Sequence, residues 1–413
     1  MKLTALQQYG VVSANYWAFT LTDGALRMLV VFHFHQLGYS TLDIALLFLF
    51  YEAFGIVTNL TGGWLGARFG LRLTLWAGTL LQITALLLLI PVADSWPKLW
   101  SVAYVMACQA LSGIAKDLNK MSAKSAIKTV VSGSSEEHGE QQLFRWVALL
   151  TGSKNALKGV GFFLGGVLLT SLGFNRAVAV MAAGLAVAFL LTLVLPADIG
   201  RMKQKPAFGA LFSKSEGINV LSTARLFLFG ARDVWFVVAL PVFLQSALDW
   251  RFWEVGSFMG LWVIGYGVVQ GAAPALRRSW GKTAPPGPAA VRFWAAVLSA
   301  IPALIAIALN RQVGQPGIAV VAGLVAFGVV FAMNSSIHSY LVLAYSDSDA
   351  VSLTVGFYYM ANAAGRLLGT VLSGTLFLWG GLSACLWCSA AMVALAWAAS
   401  LQLPPVKTAK QPA

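Results

Sequence analysis

Long apolar stretches, separated by short polar breaks, recur along the whole chain. Charged residues make up 10% of the sequence and hydrophobic residues 58%, whereas a soluble domain is usually about 25% charged. About 20 apolar residues let a helix cross the hydrocarbon core of a bilayer, where the backbone has to satisfy its own hydrogen bonds. The pattern therefore predicts an all-α membrane protein with twelve transmembrane helices. The predicted spans cover residues 11–36, 42–66, 73–93, 99–124, 143–170, 174–195, 219–247, 254–275, 289–309, 317–344, 351–377 and 382–402.

The two halves of the chain repeat each other at a separation of 208 to 211 residues. Lys158 in the fifth span corresponds to Arg366 in the eleventh, and Asp23 in the first span corresponds to Asp233 in the seventh. Repeated halves of this kind are typical of transporters. Small residues at four-residue spacing follow both basic residues, and we expect the glycines of these two spans to be packing contacts between helices. The sequence therefore predicts two six-helix, pseudo-symmetric halves.

A polar stretch separates these halves and sets the predicted domains. They are an N-terminal six-helix lobe over residues 1–195, a cytoplasmic linker over 196–218 and a C-terminal six-helix lobe over 219–413. Lysine and arginine are concentrated in the loops on the side that carries both termini, which is the cytoplasmic side in most membrane proteins. We therefore expect a multi-pass protein of the cell inner (plasma) membrane with cytoplasmic N- and C-termini. We assign the net charge of +13 mainly to these cytoplasmic loops. The positive charge therefore does not indicate a nucleic-acid partner, and the expected partner is the lipid bilayer.

Lysines recur every four residues in two stretches that are otherwise apolar. Lys116, Lys120 and Lys124 follow this spacing in the fourth span, with Lys128 one turn further on, and the fifth span carries Lys154 and Lys158. Residues four apart lie on one face of a helix. Because ionisable groups inside a membrane are costly and usually line a path or a binding site, the sign of these charges indicates what is bound.

Some of the intramembrane charges are expected to pair with one another. Asp23 and Arg27 are four residues apart with the acid first, and Asp117 and Lys120 are three apart, so both pairs suit one helical face. Arg232 and Asp233 are adjacent, and we expect them not to face each other. Lys124 and Lys128 are interpreted as topology anchors at the inner surface.

Internal pairing leaves a surplus of cations, which predicts an anionic substrate such as a phosphate ester. Lysine offers phosphate a point charge, and arginine can bind two of its oxygens at once. A neutral sugar or a cationic drug would not need this surplus. The candidate substrate-binding residues, drawn from both halves, are Arg27, Lys116, Lys120, Lys154, Asn155, Lys158, Arg232, Asn334, His338 and Arg366. The candidates for coupling to protons are Asp23, Asp117 and Asp233.

The sequence argues against an enzyme. No span contains a set of nucleophile, base and orienting residue, and no cluster of metal ligands is evident. We therefore predict no catalytic residues, no cofactor and no metal. Cys385 and Cys388 form a CxxC within an apolar helix, where small packing residues are the simplest interpretation.

The segment GWLGARFGLR over 63–72 resembles the loop motif that the major facilitator superfamily carries between spans 2 and 3. Gly63, Arg68, Gly70 and Arg72 stand at the motif positions, whereas Ala67 replaces the usual aspartate. The resemblance implies that this loop takes part in gating, with a latch that is weaker or built differently.

Three longer segments, over 15–40, 110–128 and 146–166, resemble the ArsJ-type organoarsenical efflux permeases. This resemblance implies export of 1-arseno-3-phosphoglycerate, which a glyceraldehyde-3-phosphate dehydrogenase makes from arsenate, and hence arsenate resistance. The residues themselves do not distinguish an arsenate from a second phosphate. An organophosphate/phosphate exchanger of the same superfamily is therefore an alternative, and a membrane anion sensor that does not transport is a second one.

Overall fold

The computed structural model describes residues 3–39, 47–131, 136–196, 199, 208–211, 215–312, 314–347 and 350–406. Eleven α-helices and two short 3-10 helices, but no strands, occur in these ranges. The α-helices are α1 (Ala5–Gln36), α2 (Leu49–Phe69), α3 (Leu71–Leu89), α4 (Lys98–Val131), α5 (Glu136–Leu191), α6 (Glu216–Phe236), α7 (Ala239–Ser246), α8 (Phe252–Ser279), α9 (Pro288–Asn310), α10 (Pro316–Ala344) and α11 (Val351–Ser400). The 3-10 helices are Thr192–Val194 and Phe208–Leu211.

These helices account for the twelve predicted spans because two of them contain two spans each. The backbone of α5 leaves helical geometry at Gly173, where φ is 74°, and that of α11 does so at Gly380 and Gly381, where φ of Gly381 is 61°. Positive φ is accessible to glycine without steric strain. The helices α6 and α7 together form the seventh span. The predicted all-α membrane fold is thus confirmed, while residues 42–46 of the second predicted span lie outside the described part.

Seven helical segments are apolar and long enough by themselves to cross a membrane. The helices α1, α2 and α4 are not among the seven, and α1 and α4 carry charged residues that the sequence analysis placed within the spans.

The chain forms two compact units, and each unit is built from three separate segments of the sequence. Unit 1 consists of Met1–Gly133, Ser153–Phe212 and Asp347–Met360, and unit 2 consists of Ser134–Gly152, Ser213–Ser346 and Ala361–Ala413. Each unit thus includes a short segment from the other half of the chain. Of the predicted linker, only residues 196, 199, 208–211 and 215–218 are described, and the lobe boundaries stay a prediction.

Apolar side chains from α1, α3, α4 and the second span of α5 form the main core of unit 1. Leu26, Leu29, Leu89, Val105 and Val178 are fully buried in it. The exchanged segment 347–360 approaches α2 closely at two glycines. A Cβ on Gly63 would lie 2.6 Å from the carbonyl oxygen of Ser352, and one on Gly356 would lie 2.7 Å from that of Asn59. Only glycine allows this backbone separation.

An aromatic cluster forms the core of unit 2. The ring of Trp235 meets those of Trp262 and Phe327 edge-on, with centroids 5.7 and 5.2 Å apart. Edge-to-face contacts of this kind add to the free energy gained by burying the rings. The exchanged segment 134–152 also packs in this unit, where Phe144 meets Tyr340 with centroids 5.4 Å apart.

Local signals explain where several helices begin. The backbone N–H of Arg251 donates to Oε2 of Glu254 at 2.6 Å, which caps the start of α8. Proline is the first residue of both α9 and α10, a position where its missing N–H leaves no hydrogen bond unmade.

Candidate functional site

Asp23 is the centre of the candidate site in unit 1. Its side chain projects from α1, and the residue is only 5% exposed. The hydroxyl of Tyr51 on α2 donates to Oδ1 at 2.5 Å, and Nζ of Lys158 on α5 lies 3.5 Å from Oδ2. A buried carboxylate needs such partners because water no longer stabilises its charge. Lys158 is thus paired with an acid that lies on another helix and is distant in the sequence.

Glu52 pairs with two further candidate cations. Nη2 of Arg27 lies 3.3 Å from its Oε1, and Nζ of Lys116 lies 3.5 Å from its Oε2. Lys116 also lies over the ring of Tyr51, 3.8 Å from the centroid, a favourable cation–π distance. Asp23 and Arg27 thus form ion pairs with Lys158 and Glu52 on other helices, because helix packing brings these side chains within reach. Their pairing with each other along α1 stays a prediction.

The pair Asp117–Lys120 on α4 is confirmed, with Nζ 2.6 Å from Oδ1. Lys120 lies over the ring of Tyr359, 4.3 Å from its centroid. Lys124 donates to the hydroxyl of the same tyrosine at 3.0 Å and is 3% exposed. The interpretation of Lys124 as a surface anchor is therefore wrong, since an anchoring ammonium would extend toward the lipid headgroups.

Two more candidates lie on α5, one turn before Lys158. Asn155 is buried, and Lys154 is partly exposed. Their neighbour Ser153 accepts a hydrogen bond of 2.9 Å from Nε1 of Trp17 on α1. The indole thus fixes this part of α5 against α1.

Lys128 lies beyond the predicted end of the fourth span and is partly buried. Burial lowers the pKa of Lys128 to about 8, and the nearby carboxylate of Asp347 opposes this effect. Desolvation disfavours the charged form of an amine, whereas a neighbouring negative charge favours it.

Asp233 is the centre of the candidate site in unit 2 and is 0% exposed. Nε of Arg232 donates to its Oδ1 at 2.6 Å, and Nε of Arg366 donates to its Oδ2 at 2.9 Å. The expectation that Arg232 and Asp233 cannot face each other is wrong. The arginine side chain is long enough to reach back to its neighbour, although the two Cα–Cβ bonds diverge on the helix.

Arg225 is a buried cation that the sequence analysis left out of the site. Its guanidinium donates to Oδ1 of Asn362 at 2.9 Å and to Oγ of Ser335 at 3.0 Å, and it lies 3.7 Å from the ring centroid of Phe229. Tyr266 also donates to the Ser335 hydroxyl, at 3.0 Å. A buried polar hub thus connects α6, α8, α10 and α11. The sequence signal that could have identified Arg225 as a site residue was its positive charge within an apolar span.

Asn334 and His338 lie one turn apart on α10, and each is 1% exposed. Among the described residues, both amide atoms of Asn334 and Nδ1 of His338 have no hydrogen-bond partner. Buried polar groups of this kind are normally satisfied by protein, water or ligand. They therefore mark a polar position inside unit 2.

The two units repeat the same contact between an acid and a base. Lys158 pairs with Asp23 as Arg366 pairs with Asp233, in agreement with the sequence repeat. Glycines close to each pair let the helix backbones meet. A Cβ on Gly161 would lie 2.5 Å from the carbonyl oxygen of Leu21, and a Cβ on Gly369 would lie 2.5 Å from a backbone oxygen of α6. Among the described residues, the expectation that the glycines of these two spans are packing contacts is confirmed for Gly161 and Gly369 but not for Gly374, whose Cβ position has no neighbouring atom within 4 Å.

Comparison with known families and structures identifies the architecture. Residues 12–342 match the family model described as Major Facilitator Superfamily. The chain belongs to the Major Facilitator Superfamily. Members of this superfamily are secondary transporters, so the expectation of a transporter rather than an enzyme is confirmed. No curated protein matches the chain at a significant level.

Solved major facilitator structures share the fold at low sequence identity. A bacterial homologue of the iron transporter ferroportin, in the outward-facing state, is 13% identical with a TM-score of 0.71, over 95% of this chain and 99% of that one. The human organic anion transporter MFSD10 (TETRAN) is 16% identical with a TM-score of 0.71, over 96% and 98%. The proton:xylose symporter XylE, bound to 6-bromo-6-deoxy-D-glucose, is 13% identical with a TM-score of 0.72, over 98% and 97%. At these identities, the likeness shows the fold alone.

The loop motif of the superfamily has a local structure that departs from a charged latch. Gly70 links α2 to α3 with φ of 97°. Nη1 of Arg72 donates to the carbonyl oxygen of Leu195 at 2.7 Å, while Arg68 lies over the ring of Trp64. Ala67, in place of the usual acid, is fully buried. In this chain, the loop is held by arginine contacts to carbonyl and aromatic groups.

Proposed function

We propose that this major facilitator exports 1-arseno-3-phosphoglycerate by alternating access and thereby confers arsenate resistance. The observation that carries the proposal is the pair of clusters in which partly buried cations surround the buried carboxylates of Asp23 and Asp233. The choice of this particular ester as the substrate rests on the resemblance of three segments to organoarsenical efflux permeases. The phosphate and arsenate of this ester are both anionic groups of the kind that lysine and arginine side chains bind.

The chemistry of the clusters supports an oxyanion substrate. In the described part of unit 2, the candidate cations Arg232 and Arg366 share the single carboxylate of Asp233. Guanidinium groups can bind two oxygens of a phosphate or arsenate at once. The lysines of unit 1 offer point charges that an incoming anion can draw away from Asp23 and Glu52. A neutral substrate would gain nothing from displacing these pairs.

The individual roles of these residues follow from their positions. Arg27, Lys116, Lys120, Lys154 and Lys158 bind the anion in unit 1, with Asn155 as a hydrogen-bonding neighbour. Arg232, Arg366, Asn334 and His338 serve unit 2. When substrate takes Lys158, the carboxylate of Asp23 keeps only the Tyr51 hydroxyl among the two partners described above, so it becomes a site where a proton can exchange for substrate. Asp117 and Asp233 are the other candidates for this coupling.

The proposed setting is the inner membrane, with both termini in the cytoplasm. A glyceraldehyde-3-phosphate dehydrogenase would supply the ester on the cytoplasmic side, as the resemblance implies. The acyl arsenate then hydrolyses after export, which makes transport effectively irreversible.

Growth of arsenate-sensitive cells tests the proposal. Cells are given the permease alone, the dehydrogenase alone or both, and growth is measured against arsenate concentration. Resistance that requires both proteins is the expected result. Resistance from the permease alone would indicate free arsenate as the substrate and contradict the proposal.

Transport assays test the site and the alternative substrate. Lys154 and Lys158 are replaced by Gln in protein that still inserts into the membrane, and transport should fall close to background. Transport near the wild-type rate would contradict the anion site on α5. Competition by inorganic phosphate at millimolar concentration, with no dependence on arsenate, would instead favour an organophosphate/phosphate exchanger.

Vesicles with and without a pH gradient test the proton coupling. Export that responds to the gradient, and that loses this response in Asp23→Asn, is the expected result. Indifference of the wild-type protein to the gradient would remove the coupling from the proposal.

A further inference from the structure

Two polar side chains on α10 are buried without the hydrogen bonds that buried polar groups normally make. Within the described ranges, both amide atoms of Asn334 and Nδ1 of His338 have no hydrogen-bond partner, although each residue is only 1% exposed. The two residues are four apart, so their side chains differ in direction by about 40° and lie on one face of α10. Because an unmade hydrogen bond leaves the lost hydration of a buried group uncompensated, this face indicates a ligand that supplies the partners.

The polar hub next to these residues already has its own hydrogen bonds. Ser335 follows Asn334 on α10, and its hydroxyl accepts from Arg225 at 3.0 Å. Tyr266 and Gln270 donate to the same hydroxyl at 3.0 and 3.2 Å. A serine hydroxyl has two acceptor lone pairs, so these three donors fill its capacity to accept. The hub thus fixes this turn of α10 while the amide and the imidazole beside it keep their capacity for hydrogen bonds.

A cation of the Asp233 cluster lies near this face within unit 2. The guanidinium of Arg232 lies 5.8 Å from the ring centroid of Phe331 on α10. Phe331 precedes Asn334 by three residues, which is less than one helical turn. Arg232 and Asn334 are therefore on the order of 10 Å apart, which is roughly the length of a three-carbon ester with a hydrogen bond at each end.

The amide of Asn334 requires a partner that a bare oxyanion cannot provide. Its NH2 group donates and its Oδ1 accepts. The oxygens of a fully ionised phosphate or arsenate only accept, so such an anion would leave Oδ1 without a donor. A hydroxyl on the carbon next to an acyl group offers a donor and, beside it, a carbonyl acceptor. This pair of groups matches the two atoms of the amide.

We propose that Asn334 and His338 recognise the hydroxyl-bearing part of the substrate, while Arg232 binds an anionic end. Oδ1 of Asn334 accepts from the hydroxyl, and its NH2 group donates to the neighbouring acyl oxygen. Nδ1 of His338 donates to the hydroxyl oxygen. The inference rests on the proposed function in that the cargo is an organic anion. It narrows the substrate class to hydroxylated organic phosphates and arsenates, and it disfavours inorganic phosphate and arsenate.

Thermal unfolding of the full chain in detergent tests this recognition. The dependence of the melting temperature on ligand concentration gives the affinity for 3-phosphoglycerate, for 3-phosphooxypropanoate, which lacks only the hydroxyl, and for inorganic phosphate. Wild type should bind 3-phosphoglycerate at least about tenfold more tightly than the analogue, because the analogue leaves the amide oxygen unpaired. A preference below about twofold in wild type would overturn the proposal.

Substitution of the two recognition residues should remove this preference. In Asn334→Leu, the two organic phosphates should bind within about threefold of each other, because only 3-phosphoglycerate loses hydrogen bonds. The affinity for inorganic phosphate should stay the same. His338→Leu should lower the preference in the same direction. A preference that persists in Asn334→Leu, or an equal loss of affinity for all three compounds, would contradict recognition of the hydroxyl.

The melting temperature without ligand distinguishes recognition from a structural role. Leucine has as many side-chain heavy atoms as asparagine, and the amide of Asn334 makes no described hydrogen bond, so Asn334→Leu should melt at or above the wild-type temperature. The matched control is Asn362→Leu. Oδ1 of Asn362 accepts from Nε of Arg225 at 2.9 Å, so this variant should melt at a lower temperature. An equal decrease in both variants would assign Asn334 to the packing of α10 and overturn the proposal.

The ligand series separates this inference from the proposed function. If none of the three compounds raises the melting temperature of wild type, the proposed substrate class is wrong and this inference is wrong with it. If 3-phosphoglycerate and its analogue bind equally well, an organic anion is still supported as the cargo and only the recognition of its hydroxyl is wrong.

Discussion

The Nζ atom of Lys158 lies 3.5 Å from a carboxylate oxygen of Asp23. This contact joins α5 to α1 in unit 1, and Arg366 makes the repeat-related contact with Asp233 in unit 2. The two contacts differ in strength. Asp23 has a lysine and a tyrosine hydroxyl, whereas Asp233 has two arginines. Both halves of the chain thus have the acid–base pair, but we expect Asp23 to separate from its basic partner more easily than Asp233 does.

A double-mutant cycle should show that Asp23 and Lys158 are coupled. Lys158→Gln and Asp23→Asn should each lower the free energy of unfolding in detergent by on the order of 2–4 kcal/mol, because each leaves a buried charge without this partner. The double mutant should lose less than the sum, by about 1–3 kcal/mol. Thermal or denaturant unfolding of the purified protein measures all three. Additive losses would mean that the contact contributes no coupling energy.

Asp233→Asn should be more harmful than Asp23→Asn. It removes the carboxylate that two guanidinium groups share, in a position that is 0% exposed. We expect a loss of on the order of 4 kcal/mol or failure to accumulate folded protein, against about half that loss for Asp23→Asn. Asp233→Glu retains the charge and serves as the control. Equal losses for the two asparagine variants would contradict the stronger pairing in unit 2.

Gly161→Ala should be destabilising because of the backbone contact with α1. The added Cβ would lie 2.5 Å from the carbonyl oxygen of Leu21, so the helices would have to separate at a cost of about 1–3 kcal/mol. Gly374→Ala is the matched control, since no atom lies within 4 Å of its Cβ position. Alanine there should be neutral or stabilise α11 by up to about 1 kcal/mol. A similar loss in both variants would refute close packing at Gly161.

Lys128 should make stability depend on pH above neutrality. Burial lowers the pKa of Lys128 from its ordinary value of 10.5 to about 8. Between these two values the unfolded chain binds more protons than the folded one, so the free energy of unfolding rises with pH. The gain at pH 9 relative to pH 7 is at most about 1.4 kcal/mol. Unfolding of wild type and Lys128→Met at both pH values measures it.

The methionine variant should lack this part of the pH dependence. The same gain in both proteins would assign the effect to other groups. Asp347 should be retained in both proteins, because its carboxylate opposes the shift.

Hydropathy was sufficient to predict the helical architecture. The predicted break at residues 170–174 falls at Gly173, and the break at 377–382 falls at Gly380 and Gly381. These positions were predictable because a turn between two apolar spans needs residues that leave the helix without strain. The exchange of short segments between the units was not predictable, since it depends on contacts between residues more than a hundred positions apart.

The sequence was sufficient to predict which charged residues are in the site, but not which of them form ion pairs with each other. Spacing along one helix identified the cations and the pair Asp117–Lys120. It could not identify Glu52 as the partner of Arg27, because that contact depends on how α1 and α2 pack. Tyr51 and Tyr359 were missed because tyrosine in an apolar span resembles an ordinary packing residue. Arg232 was misjudged because helical angles describe Cβ directions and not the reach of a long side chain.

The exchanged segments bear on how such transporters can be recombined. A chimera that joined the first half of this chain to the second half of a relative would place foreign residues at the equivalent of 347–360 against α2, where Gly63 and Gly356 allow no side chain. The foreign half would in turn receive residues 134–152 from this chain. Recombination at the polar linker would therefore succeed only between proteins whose small residues match at these contacts, so the two halves of the sequence are expected to evolve as one.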